Sequence, residues 1–449
     1  MASTYLTRTP GSSGQTSRYK GTISVWVKRS NAGEEDFIFY GYEGSSNRMK
    51  ITFLANGKLQ INSIQAGSNH LVYETTRVFR DTNAWYHIVI GIDTTLATAG
   101  DRCRLYVNGV EETSFSTETH FSQNDLHFLT ENSVPIYIGS QASGNYFDGL
   151  MTHYHLIDGI QYDASAFGQT DATTGIWKPK TAPSVTYGTN GFFLKFENSG
   201  SMGTDSSGNS NNLTISGTMI QTQDTPSNNF ATGNRLIGRH SNGNYLQPDW
   251  SNANLTATAD GSAWRIFKSS LAASSGKYYA EFKWVSDSNT RYAYIGIYDE
   301  DDYAAKASGY PYLNDMANGH AYYSENGNYY TNNTNTSFGS AFSSTGDGIV
   351  GVAMDLDNSK VYWSSNGSWQ GGGDPSNGTG GKSITANKLY SFGLTLYSVG
   401  SIVYSANFGN GYFGTTAVSS AGTNASGNGI FEYNVPTGFT ALSTKGLNL

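Results

Sequence analysis

Cysteine is almost absent. Cys103 is the single one in 449 residues, so neither an intramolecular disulfide nor a thiolate metal cluster can form. Charge is also sparse, at 14% of residues with a net of −8 and no basic cluster, which leaves out the footprint of a nucleic-acid binder. Tyrosines could stack on bases, but only beside a positive groove that this chain does not supply. No apolar run approaches the roughly 18 residues of a membrane-spanning helix. The opening residues, Met1 to Pro10, lack the charged-then-apolar order of a secretory signal. A soluble product of a cytoplasm is expected, with no nucleic-acid partner and no membrane insertion. Missing too are any amphipathic helical period longer than about two turns and any heptad shaft.

What the chain holds in quantity is glycine, at 53, and tyrosine, at 31, against 9 prolines. Weakly charged, aromatic, Gly-rich composition with few strong helix formers points to an all-β fold, and the length suits two domains with a core each. The best-organised stretch runs from Gly346 to Pro375. Val350, Val352, Met354 and Leu356 alternate with Gly351, Ala353 and Asp355, the period-two signal of a strand. Asp357-Asn358-Ser359 turns the chain, Lys360-Val361-Tyr362-Trp363 returns it, and Asn366-Gly367 makes the next turn. A weaker copy lies earlier: His87 to Asp93, then Arg104-Leu105-Tyr106-Val107 and Asn108-Gly109. Each copy has an apolar strand closing on Asp, a return strand with Tyr, and an Asn-Gly turn, so two domains on one plan are expected.

Along the chain, residues 1–20 read as polar. Strands are predicted over Thr22 to Lys28, Phe37 to Tyr40, Lys50 to Leu54, Leu59 to Ile61, Trp85 to Ile92, Ile136 to Gly139 and Leu150 to Ile157. In the second half they are predicted over Lys277 to Val285 and Arg291 to Tyr298. Asp299 to Asp302 reads as an acidic turn, and Tyr303 opens a long Tyr/Asn/Gly loop to about Gly346. A connector with Pro226, Gly233 and Gly238 separates the halves.

Several of these segments carry a family resemblance. Ile23 to Lys28, Trp85 to Val89, Leu105 to Gly109, Ile138-Gly139, Phe147 to Met151, Gly175 to Lys180 and Tyr187 to Phe196 resemble a laminin-G-like, concanavalin-type domain. Gly276 to Phe282, Tyr294 to Ile297, Gly346 to Tyr362, Leu389 to Gly393, Asn407 to Gly409 and Pro436 to Leu442 resemble, in order, a SPRY domain. The resemblance implies two concanavalin-like antiparallel β-sandwiches of jelly-roll type in tandem: a lectin-type domain over 1–222, a connector over 223–240 and a SPRY-like domain over 241–449. The pairing is similar to virion proteins of marine bacteriophages. It implies a non-enzymatic structural protein on the virion surface, a capsid decoration or appendage component made in the host cytoplasm and adhesive toward host-surface glycans or proteins. Implied partners are other capsid or tail proteins and further copies of the chain. A tail-fibre receptor-binding protein, a polysaccharide depolymerase and an intracellular SPRY-type adaptor are the alternatives.

Candidate sites are few. A depolymerase needs two carboxylates about 5–10 Å apart across a sugar bond, and no Glu-x-Asp-x-x-Glu pattern occurs. Glu34-Glu35-Asp36 and Asp299 to Asp302 read as solvated runs, and His153 and His155 as one polar strand face. No Gly-x-Ser-x-Gly elbow is present. Asp205 to Asn212 is oxygen-rich; it reads first as a polar turn and second as a calcium loop in which Asp205 and Asn209 are ligands. No cofactor is required, and calcium is the one optional ion. The ligand-binding candidates are Tyr303, Tyr310, Tyr312, Tyr322, Tyr323, Tyr329 and Tyr330, because tyrosine offers flat apolar area with a polar tip and loops at one end of a sandwich carry binding. Trp363 and Trp369 are expected in or near the core.

Overall fold

The computed structural model describes residues 4–142, 144–237, 246–287, 292–306, 310–341 and 348–448. Gly238, Arg291, Gly346 and Asp347 of the expectations above lie outside them. The chain forms two compact units, Met1–Gln221 and Thr222–Leu449. Both are built almost entirely of strands, the all-β class expected from composition and alternation, and the strands pair antiparallel except Thr440–Ala441, which runs parallel to Lys277–Asp287.

In the first unit, one sheet runs in the order Phe115–Thr119, Ser68–Val78, Lys58–Gln65, Asn47–Phe53, Asp36–Gly44, Ile136–Ile138, Tyr5–Arg8 and Thr214–Ser216. The other runs Phe192–Leu194, Gly149–Asp158, Lys20–Arg29, Tyr86–Asp93, Cys103–Val107 and Val110–Glu111. Alternate residues of both sheets interdigitate: Ile23, Val25 and Val27 meet Ile38, Met49, Ile51 and Ile61 in one core. Burial of such side chains is worth about 1.5–3 kcal/mol each and drives the two sheets together.

In the second unit, one sheet is ordered Asp249–Ser251, Thr256–Asp260, Ser401–Asn407, Lys277–Asp287, Ile349–Asp355, Lys360–Ser365 and Ser368–Trp369, with Lys382–Ser383 and Thr440–Ala441 attached. Its partner is ordered Arg265–Lys268, Tyr390–Tyr397, Tyr292–Asp299, His320–Tyr323, Tyr329–Thr331 and Thr334–Thr336. Val350, Val352, Met354 and Leu356 enter the core as the alternation requires, with Trp363 fully buried beside them. Trp363 Nε1 donates to the Ile295 carbonyl at 2.9 Å, which satisfies its polar atom in the interior.

The repeated Asp at the end of each hairpin strand has a structural role. Asp93 pairs with Lys20 at 2.9 Å and Asp355 pairs with Lys277 at 3.0 Å. In both cases the lysine lies directly opposite the aspartate on the neighbouring strand. Each aspartate also accepts an N–H of the turn that follows, from Thr95 and from Asn358.

Four local expectations are corrected. The polar start contains the strand Tyr5–Arg8, placed by its pairing with Ile136–Ile138. Asp299 to Asp302 opens the short helix Glu300–Ala305, where Asp299 caps the Asp301 N–H at 3.0 Å; acids at a helix start are favoured by the free N–H groups there. The region after Tyr303 holds three strands, His320–Tyr323, Tyr329–Thr331 and Thr334–Thr336. His320–Tyr323 is buried on both faces, so it shows no polar alternation to read. Finally, the acidic runs are not wholly solvated. Asp36 and Asp299 are 0% exposed, and Asp36 accepts from Arg29 Nε and Nη2 at 2.9 and 2.7 Å.

Candidate functional site

The outer face of the second unit's six-stranded sheet carries an aromatic array. In Tyr292–Asp299 the residues Ala293, Ile295 and Ile297 enter the core, so Tyr292 and Tyr294 stand on the opposite face. Antiparallel register then aligns aromatic residues from other strands with them. Tyr294 lies opposite Tyr323, and Tyr292 opposite Tyr397. Arg265 pairs with Leu396, which sets Trp264 beside Tyr397. Ring centroids follow: Tyr294 to Tyr323 4.5 Å, Tyr292 to Tyr397 5.8 Å, Trp264 to Tyr397 5.0 Å and Trp264 to Tyr294 5.8 Å. Tyr330 meets Tyr294 edge-on at 5.1 Å. Tyr312 lies 5.2 Å from Trp264 and stacks on Tyr310 at 4.9 Å with planes inclined 4°.

Eight rings from six separate stretches of chain thus form one surface. Most are half-buried, and Tyr310 is 42% exposed. Tyr323 donates to Glu325 at 2.8 Å. Burial holds the hydroxyls of Tyr294, Tyr312 and Tyr323 well above the ordinary tyrosine range, so they stay neutral hydrogen-bonding groups. Leu313 and Met316 pack beside the array against Ile266 and Ala321 and give Tyr312 a firm base.

Of the seven tyrosines expected to bind ligand, the structure brings Tyr310, Tyr312, Tyr323 and Tyr330 into this array. It puts the other three elsewhere. Tyr303 lies under Lys268, whose Nζ is 3.6 Å from the ring centroid. Tyr322 is fully buried in the core and donates to the Ser340 carbonyl. Tyr329 is buried with its hydroxyl 2.7 Å from His320 Nδ1. Trp264, Tyr292, Tyr294 and Tyr397 were not among the expected residues. The Tyr-x-Tyr spacing at 292 and 294 was the available signal, since it places both rings on one strand face.

The first unit has a smaller patch of the same kind. Tyr137 lies opposite Tyr40, Tyr40 stacks on Tyr42 at 5.3 Å, and Tyr5 stands 6.0 Å from Tyr137 and 6.2 Å from Tyr146. Lys50, opposite Tyr40 on the neighbouring strand, pairs with Glu35 at 3.3 Å.

Asp205 and Asn209 staple a turn. Asp205 Oδ1 accepts the N–H groups of Phe193 and Ser207 at 2.9 and 2.8 Å, and Oδ2 accepts the Asn211 N–H and Ser207 hydroxyl, both at 2.8 Å. Asn209 donates to the Gly188 and Gly191 carbonyls at 2.6 and 2.9 Å. Among the described residues no group of three or more His, Cys, Asp or Glu stands together as a metal site, and no helix is long and apolar enough to cross a membrane.

His153 and His155 do not share one polar strand face. His153 sits at a strand bulge with φ 48°, and His155 is buried against Phe193 at 3.9 Å with Nδ1 2.9 Å from the Tyr187 hydroxyl. Ser24 Oγ lies 2.8 Å from His87 Nε2. Trp177 Nε1 can only donate, and it does so to His87 Nδ1 at 2.9 Å. Nε2 therefore carries the ring hydrogen and donates to Ser24. A general base would need that nitrogen unprotonated, so this pair does not activate the serine.

Residues 2–160 match the family described as Concanavalin A-like lectin/glucanases superfamily. No curated protein matches the chain. Among solved structures, the SPRY domain of human HERC1 is similar at 16% identity, over 34% of this chain and 87% of that one, with a TM-score of 0.25. Domain 4 of AbnA, a GH43 extracellular arabinanase from Geobacillus stearothermophilus solved with arabinotriose, is similar at 17% identity over 35% of this chain and 68% of its own, TM-score 0.25. The Ruminococcus gnavus IT-sialidase CBM40 bound to alpha2,3 sialyllactose is similar at 10% identity over 37% and 95%, TM-score 0.26.

Proposed function

We propose that this protein binds glycans through the aromatic face of the second unit and does not cleave them. The observation that carries the reading is the eight-ring array of Trp264, Tyr292, Tyr294, Tyr310, Tyr312, Tyr323, Tyr330 and Tyr397. Flat rings with neutral hydroxyl edges match the two faces of a sugar, an apolar C–H surface ringed by hydroxyls. The smaller tyrosine patch of the first unit offers the same chemistry, so one chain presents more than one weak contact, and many copies on a particle would give tight overall attachment. On its sequence resemblance, we place the protein on the surface of a phage particle, as a capsid decoration or appendage component adhesive toward its host.

Affinity electrophoresis of the full chain through gels cast with host-surface polysaccharide tests the binding. Retardation that is lost in Tyr292→Ala/Tyr294→Ala is expected; unchanged mobility of the native chain in every polysaccharide would reject the reading. New reducing ends on prolonged incubation would show cleavage instead. Immunogold labelling of purified particles decides the location, and unlabelled particles would remove the virion assignment.

A further inference from the structure

We propose that residues 419–435 form a strap over the outer face of the second unit's nine-stranded sheet, which Glu281 holds down when neutral and loosens when ionised. Glu281 is 0% exposed at the middle of the strand Lys277–Asp287. Its Oε2 accepts the Glu432 N–H at 2.9 Å and Asn407 Nδ2 at 3.3 Å. Its Oε1 accepts the Tyr433 N–H at 2.8 Å and the Tyr279 hydroxyl at 3.2 Å. One carboxyl group therefore ties two consecutive strap amides to the sheet.

The strap is a unit in its own right. Gly422 N–H donates to the Phe431 carbonyl and Val435 N–H to the Thr423 carbonyl, each at 2.9 Å, while Thr423 N–H donates to Asn434 Oδ1 at 2.8 Å. Beneath it, Phe431 and Val435 bury Tyr279, Ala353 and Tyr362. Its other ties to the second unit include Ile430, whose N–H donates to the Gly409 carbonyl at 2.9 Å and whose carbonyl accepts from Asn407 at 2.9 Å, and Asn428, which accepts from Asn228 at 2.9 Å and donates to Thr440 at 2.9 Å and to Ser443 at 3.1 Å. Lifting the crossing segment would break few bonds within the strap itself.

The surroundings set the sign. The titratable groups on the face of Glu281 are Tyr279 and Lys283 on its own strand and Tyr433 and Glu432 on the strap, with the Glu432 carboxylate turned to the Ser419 N–H at 2.7 Å. The neighbouring strands offer Gly351 and Asn407 opposite it. The cation Lys283 has its Nζ 5.9 Å from the centroid of the Phe413 ring. Burial outweighs the four donors and raises Glu281 to about 7. The neutral form fits, because the Tyr279 hydroxyl can reverse and accept the carboxyl proton while both oxygens keep a lone pair for the amides. Gly351 makes the room: a Cβ there would meet the Tyr279 hydroxyl at 2.5 Å. With the strap lifted, water reaches Glu281 and it regains an ordinary carboxylic pKa. A group whose closed-state pKa is raised stabilises closure at low pH and loses that contribution as pH rises through about 7.

Hydrogen exchange of the full chain, corrected for intrinsic rates, tests this at pH 6 and pH 8.5. Protection of the Glu432 and Tyr433 amides is expected to fall about tenfold at the higher pH. In Glu281→Gln the pH step should vanish. The strap should also be looser at both values, because an amide nitrogen cannot accept a strap N–H. Equal wild-type protection at both pH values, or a step that persists in Glu281→Gln, would overturn the proposal. If that variant does not fold, infrared difference spectra of glutamate-labelled protein replace it: a buried protonated carboxyl band should disappear between pH 6 and 8.5, and its absence at pH 6 would overturn the proposal equally.

Discussion

Tyr294 and Tyr323 stand directly opposite each other on adjacent antiparallel strands, with ring centroids 4.5 Å apart and planes inclined 17°. They lie 29 positions apart in the chain, and only the sheet brings them together. Their stack is the centre of the aromatic face, touched also by Trp264 and Tyr330. Tyr294→Ala is expected to weaken polysaccharide binding about tenfold, the worth of roughly 1.4 kcal/mol from one well-packed aromatic contact. Tyr294→Phe keeps the ring and should keep most of the affinity. Calorimetric titration with the polysaccharide that retards the native chain checks both, and native affinity in the Ala variant would move the site elsewhere.

The seven tyrosines between 303 and 330 should separate into two behaviours. Tyr310→Ala, at an exposed ring, is expected to change stability by no more than about 0.5 kcal/mol while lowering binding. Tyr322→Ala, at a ring that is 0% exposed, is expected to cost about 3–5 kcal/mol. Urea unfolding of the two variants tests the contrast. Similar midpoints would mean that these side chains are not partitioned between surface and core.

Arg29 and Asp36 form a fully buried pair in the first unit. The guanidinium also donates to the Phe79 carbonyl at 3.1 Å and lies 4.5 Å from the centroid of the Phe53 ring. Arg29→Met leaves Asp36 buried without its cation, and a loss of about 3–5 kcal/mol is expected. Arg29→Met with Asp36→Leu removes both charges and should recover most of it. Chemical denaturation of the single and double variants measures this, and a double variant no better than the single would contradict it.

Acid should weaken the first unit. Burial lowers His87 to about 3 and His127 to about 4, and holds His155 well below its ordinary value. Each is neutral when folded and takes up a proton on unfolding below about pH 6.5, so stability is lost as pH falls through the window from 6.5 toward 4. Asp36 acts oppositely, since burial raises it to about 6 despite the Arg29 guanidinium, and it offsets one of the three protons. A net loss of about 1.4 kcal/mol per pH unit for each remaining proton is expected. Exchange protection of Tyr86–Asp93 in urea at pH 7 and pH 5 reports it; flat protection would mean that these rings are already charged in the fold.

Much of the fold was legible because alternation is a local property. Val350, Val352 and Met354 declare their inward face whatever they pack against, and the Asp-ended hairpins in both halves pointed to a shared plan that the Lys20–Asp93 and Lys277–Asp355 pairs explain. Local sequence misled where neighbours overrode it. Tyr322, in a short strand buried on both faces, reads in sequence like the exposed Tyr310, and Asp36 reads as solvated because its partner Arg29 lies seven residues away on another strand.

By itself, then, the sequence determined the all-β class, the inward face of each long strand, and a tyrosine-rich region suited to recognition. Tertiary structure alone decided which tyrosines share a surface. A strand pattern says that Tyr292 and Tyr294 lie on one of two faces, but whether Trp264, Tyr323 and Tyr397 join them depends on strand order and register. Those are fixed by the packing of whole sheets, and a shift of one residue would turn every ring to the other side.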